Sequence, residues 1–122
     1  MNKSGKAVKE FCINQGLLLS NVHVIVDDID LPLGKLRIRP KGGDGCHRGM
    51  ESIIYQNSDN NFPRIRFGIA VGSKLRPSEQ YVLKDFKKSD QNLADEMIIR
   101  AADAAELIFE DGLNKAMNKY NA

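Results

Sequence analysis

A single α/β domain is what the sequence predicts, on three observations. The chain has 122 residues, 42% of them apolar and 28% charged, enough for one hydrophobic core and too few for two. Stretches with helical and with strand periodicity alternate along it, the order of strands interleaved with helices that cover them. No internal repeat or low-complexity stretch interrupts that order.

The first expected element is a short amphipathic helix over residues 5–15. Ser4 stands at its N-cap position, Ala7, Val8, Phe11 and Cys12 recur at helical spacing, and Gly16 closes it. Val22-His23-Val24-Ile25-Val26 follows as a β-branched run of strand length. It reads as a strand buried on both faces in a parallel sheet, with the acidic cluster from Asp27 to Pro32 at its C-terminal edge. In Lys35-Leu36-Arg37-Ile38-Arg39-Pro40-Lys41 basic and apolar residues alternate, which sets Lys35, Arg37 and Arg39 on a wet face opposite Leu36 and Ile38. After a Gly-rich loop, His47 to Gln56 carries Met50, Ile53 and Ile54 at the spacing of a helix packed on a sheet. Residues 57–63 read as a turn. Arg64-Ile65-Arg66-Phe67-Gly68-Ile69-Ala70 then repeats the basic and apolar alternation as a second strand with a positive face. A long helix is signalled from Ser89 as its cap, with a stripe of Leu93, Met97, Ala101, Ala104 and Ile108 and a stop at Gly112. A short helix over 113–120 ends the chain.

Composition excludes several classes of function. No apolar run approaches the roughly 20 residues needed to span a bilayer, and the polar start MNKSGK is no signal peptide. The expectation is a soluble, unexported protein. Its two cysteines, Cys12 and Cys46, are therefore expected as free thiols. With no Trp and 7% aromatic residues, a stacking platform for single-stranded bases is not expected. Lys and Arg exceed Asp and Glu by 18 to 16, and the excess lies in residues 1–72.

Four constellations carry candidate chemistry, each with a plainer reading. Asp27-Asp28-Ile29-Asp30 lies just beyond a strand, where a carboxylate orients a histidine or binds a cation, or where Asp side chains merely cap a turn. An EF-hand is excluded by the missing glycine and glutamate spacing. Gly43-Asp44-Gly45-Cys46-His47-Arg48-Gly49 opens a helix, but its third glycine comes one residue late for a dinucleotide-binding loop. What remains there is an anion site of backbone N–H groups, or a loop with no ligand. Cys46 and His47 are adjacent and so do not face each other on a helix, which argues against a cysteine hydrolase. His23 reads as a packed strand residue; His47 is either a plain helix-start residue or part of a site. The basic faces of the two alternating strands form either a phosphate-binding patch, if the strands are neighbours, or a solvated sheet surface.

The segments MNKSG, VDDIDLPLGKLRI, GGDGCHRGMESII, PRIRFGIAVG and AADAAELIFEDGLNKAMNKYN, in this order, resemble the bacterial-type peptidyl-tRNA hydrolase family. The resemblance implies a three-layer α/β sandwich with a mixed, partly parallel sheet flanked by helices. It implies that residues 1–122 are one truncated domain, the C-terminal part of the family fold, lacking the first strands. The implied activity is hydrolysis of the ester between a peptide and tRNA, which recycles tRNA in translation without a metal or other cofactor. Implied catalytic residues are Asp27, which orients a general-base histidine, and Asn2; implied substrate-binding residues are His47, Arg48, Arg39 and Arg66. The family's general-base histidine has no counterpart among His23 and His47, and the family asparagine after His47 is Arg48 here. The implied partners are therefore peptidyl-tRNA and a separate N-terminal segment, with no membrane partner. The implied location is the cytoplasm, or an organelle if a presequence belongs to the protein. A non-catalytic RNA-binding protein derived from the family and an inert fragment are the alternatives.

Overall fold

The computed structural model describes residues 3–45, 47–70 and 88–121. Their elements run in the order α1 (Ser4–Gln15), β1 (Val24–Pro32), β2 (Leu36–Arg39), α2 (Arg48–Asn57), β3 (Arg64–Ala70), α3 (Gln91–Asp111) and α4 (Leu113–Tyr120), with 3-10 turns at Leu19–Asn21 and Lys88–Asp90. Two compact units are formed, one from Met1–Val24 with Arg39–Arg64, the other from Ile25–Ile38 with Ile65–Ala122.

The first unit is built on the pairing of α1 with α2. Their backbones meet at Gly5, where any Cβ would collide with the carbonyl group of Ser52, while the Gly5 N–H donates to Ser52 Oγ at 2.9 Å. Of the expected stripe, Cys12 is buried, as is Gly5, and Val8 is half-buried, whereas Ala7 and Phe11 are exposed, Phe11 by 56%. A helix that approaches through a glycine is rotated toward it, and larger side chains on the flanks stay outside. Ser4 is the first helical residue and no cap, since Lys3 holds the N-cap position. The end at Gly16 is as expected, with φ 66° and its N–H donating to the Cys12 and Ile13 carbonyls. In α2 Met50 and Ile53 are buried, as their spacing requires, and Ile54 is half-buried.

The second unit holds most of a three-stranded sheet in the order β1-β3-β2. Hydrogen bonds link the starts of β1 and β3 (Val24 N–H to Pro63 O, 3.0 Å) and their ends (Leu33 N–H to Ala70 O, 2.9 Å), so these strands are parallel. Gly68 N–H donates to Lys35 O at 2.8 Å, which starts β2 at the end of β3 and runs it antiparallel. The sheet is mixed and partly parallel, as the family resemblance implies. Two expectations change at β1. It begins at Val24 and continues to Pro32, so His23 precedes the strand and the acidic cluster lies within it. Nor is it buried on both faces, because Ile25 is 46% exposed. Pairing with β3 overrides the poor strand propensity of Asp27, Asp28 and Asp30.

Since β3 lies between β1 and β2, the three-residue link Leu33–Lys35 passes over the end of β3. It does so at Gly68, where a Cβ would strike the Pro32 and Leu31 carbonyl oxygens. The core of this unit joins Leu36 and Ile38 of β2 and Ile65 of β3 to Met97, Ala101, Ala104 and Ile108 of α3 and to Ala116 and Tyr120 of α4. Small alanines bring α3 close to the sheet. The stripe holds except at its start, where Ala94 is buried and Leu93 is 43% exposed. Ser89 lies in the preceding 3-10 turn, and the N-cap of α3 is Asp90, whose side chain makes no capping bond. Along β2, Asn121 acts as a substitute strand: its Oδ1 accepts from Ile38 N–H at 2.7 Å and its Nδ2 donates to Ile38 O at 2.9 Å.

Candidate functional site

In the first unit the Gly-rich loop is held open at the start of α2 by a residue that sequence reasoning had placed elsewhere. Arg64, expected on a wet positive face, is fully buried (0% exposed). Its guanidinium Nη1 donates to Gly42 O and Gly43 O at 2.9 Å each. Nη2 donates to Asn60 O at 2.8 Å and Phe62 O at 3.2 Å, and Nε to Phe62 O at 3.3 Å. The five N–H donors of an arginine are thereby used on four carbonyl groups, and the Phe62 ring lies 4.3 Å from Cζ. The loop and the turn before β3 are fastened to one side chain. The available signal was in the loop: glycine carbonyls with no side chains of their own must find donors when they approach a core.

His47 is the N-cap of α2. Its Nδ1 accepts from Met50 N–H at 3.2 Å, so the ring proton of the neutral imidazole lies on Nε2. The reading of His47 as a helix-start residue holds, since its side chain caps α2. A base it is not in this tautomer, because the nitrogen that would accept a proton is engaged. Arg48 begins α2 and is exposed, and Arg39 is exposed at the end of β2. Both carry full charge, and the amide end of the helix adds positive potential beside Arg48.

In the second unit Asp27 sits within β1, half-buried, with its Oδ2 out of contact with solvent. Next to it Asp28 turns one oxygen to Asp30 N–H (2.8 Å) and the other to Arg66 Nη1 (3.6 Å). Arg66, the other residue expected on a wet face, is half-buried by its place on the inner strand and ion-paired. Of the alternation on β2, Leu36 and Ile38 are buried and Lys35 is exposed as expected, while Arg37 is half-buried. The two alternating strands are indeed neighbours. The His23 imidazole, just before β1, has its pKa pushed down by burial, which disfavours the charged ring. Asn2 and Cys46 lie outside the described residues; Cys12 is a buried free thiol. Among the described residues no three His, Cys, Asp or Glu side chains gather as a metal site, and no helix is long and apolar enough to cross a membrane.

The family pattern for peptidyl-tRNA hydrolase matches residues 1–122. The chain belongs to the peptidyl-tRNA hydrolase family. It is 46% identical over 121 residues to the peptidyl-tRNA hydrolase of Thermoanaerobacter sp. (strain X514), covering 99% of this chain and 65% of that protein. It is 42% identical over 122 residues to that of Desulforudis audaxviator, covering 100% and 61%. The crystal structure of peptidyl-tRNA hydrolase from Acinetobacter baumannii superposes with a TM-score of 0.87 at 32% identity, over 100% of this chain and 62% of that one. The chain thus spans somewhat less than two thirds of the length of these family members, and its α/β fold with a mixed sheet is theirs.

Proposed function

We propose that the chain carries the RNA-binding and aspartate portions of a peptidyl-tRNA hydrolase, which cleaves the ester between a peptide and tRNA in the cytoplasm. The observation that carries this reading is the match to the family along all 122 residues. In it Arg39, Arg48 and Arg66 hold backbone phosphates by charge. His47, beside Arg48 at the start of α2, belongs to the substrate-binding surface. Asp27, with Asn2, serves the reacting centre: a carboxylate holds an imidazole in one tautomer, and that imidazole takes a proton from the attacking water. The water oxygen bonds to the ester carbonyl carbon, the bond to the ribose oxygen breaks, and the ribose oxygen leaves with a proton.

The imidazole is the part these residues do not supply. His47 uses Nδ1 as a helix cap, and His23 precedes β1, only four residues from Asp27 along the same chain segment. In this reading the base is the histidine of the family's N-terminal segment. In a single-turnover assay with peptidyl-tRNA, the chain alone hydrolyses at the background rate. Adding the family's N-terminal segment restores turnover, and Asp27→Asn then lowers it by about 10²-fold or more. Robust hydrolysis by the unsupplemented chain, lost in His47→Ala, would reverse the assignment. Arg48 in place of the family asparagine supports a second reading, a non-catalytic RNA binder, because a guanidinium only donates where an amide also accepts. Tight tRNA binding with no hydrolysis in the reconstituted protein selects that reading.

A further inference from the structure

Resting on the phosphate-binding reading of Arg66, we infer that Asp28 is an internal anion that RNA must displace or outweigh at Arg66, and so sets the affinity of that contact. Asp28 lies on β1 and Arg66 on the adjacent parallel strand β3. Oδ2 of the carboxylate is 3.6 Å from Nη1 of the guanidinium, and the side chains are 12% and 24% exposed. A contact of this length is a weak pair, longer than the charge-assisted hydrogen bond that arginine forms with a committed carboxylate partner. Yet Asp28 cannot swing away freely, because its Oδ1 accepts from Asp30 N–H at 2.8 Å and its backbone is in the sheet.

A phosphate arriving at Arg66 therefore meets a guanidinium whose field is partly cancelled, and it must sit beside a carboxylate that stays. The contact is attenuated and does not close without a price in repulsion. An isolated phosphate gains little here, whereas an RNA already held through other phosphates gains enough, so Asp28 favours the polyanion over the free ion. The opposite role, a carboxylate that aims Arg66 at its ligand, gives the opposite sign on substitution.

Asp28→Asn is the decisive variant, since its side-chain oxygen still accepts from Asp30 N–H. Binding of deacylated tRNA is measured across a salt series for the full chain, Asp28→Asn, Arg66→Gln and the double variant, each checked for native circular dichroism, with the exposed Asp30→Asn as the control for a general charge effect. The expected result is that Asp28→Asn binds about threefold to tenfold tighter with a steeper salt slope. Arg66→Gln binds more weakly, and in its background Asp28→Asn gains less than about twofold. Unchanged or weaker binding by Asp28→Asn, with Arg66→Gln still weaker than the parent, overturns the role of Asp28 and leaves Arg66 as a phosphate ligand. An equal gain from Asp30→Asn, or a full gain in the Arg66→Gln background, reduces it to long-range charge and overturns it as well. If Arg66→Gln binds as tightly as the parent, the phosphate reading of Arg66 itself fails.

Discussion

Two side chains show how much one residue decides. Arg64 buries a full charge and satisfies it with carbonyl oxygens, an arrangement that depends on the planar five-donor fork. Lysine has the same charge but three donors on one nitrogen. Arg64→Lys is expected to cost about 3 kcal/mol in urea unfolding, nearly as much as Arg64→Met, because carbonyls in the core are left unpaired by either. Equal stability of parent and Arg64→Lys would mean that the charge alone matters. His23 supplies a pH dependence. Burial lowers its folded-state pKa below 6.5, so the unfolded chain binds a proton more readily than the folded one. Its stabilising contribution is present above the unfolded value and is lost as pH falls through the folded one. Thermal unfolding between pH 7.5 and 5 is expected to show falling stability, and His23→Gln to flatten that fall relative to the parent.

At the scale of elements, close approach explains where side chains are forbidden. Gly5 lets α1 touch the backbone of α2, and Gly68 lets the β1–β2 link pass over β3. In both cases the obstructing atoms belong to backbone, which cannot yield as a side-chain tip can. Gly5→Ala and Gly68→Ala are each expected to destabilise the chain by about 2 kcal/mol or more. Gly16→Ala provides a contrast, since nothing stands near its Cβ position and the penalty there is the φ of 66° alone. If the three variants unfold at the same denaturant concentration, backbone contact is not what selects glycine at positions 5 and 68. Elements also explain a shift in the site: β3 lies between two strands, and inner strands cover side chains that periodicity alone would put in water.

For the molecule as a whole, net charge is a modest +2, so RNA binding must come from placed cations and not from a general field. Arg39, Arg48 and Arg66 engaging one phosphate each predict a slope of log K against log salt of about −2 to −3. The triple alanine variant, with unchanged circular dichroism, is expected to lose most of both affinity and slope. A parent slope near zero, or a triple variant that binds as the parent does, would remove these three residues from the interface.

Periodicity and glycine helix stops, which are local, were legible in the sequence. The α2 pair Met50 and Ile53, the β2 pair Leu36 and Ile38, the stripe from Met97 to Ile108 and the stop at Gly16 lie where spacing puts them. The family segments were legible too, because order and residue identity survive without coordinates. Tertiary structure alone decided what pairing and crossing decide. Hydrogen bonding to β3 drew Asp27 to Pro32 into a strand. A glycine contact chose which part of the apolar stripe of α1 is covered, Cys12 and not Phe11. Two arginines with the same period-two signature parted, one to clamp a loop from within the core and one to meet Asp28. A repeat of two residues fixes which side of its own strand a side chain takes, and only the neighbours determine whether that side holds water, a carbonyl or a carboxylate.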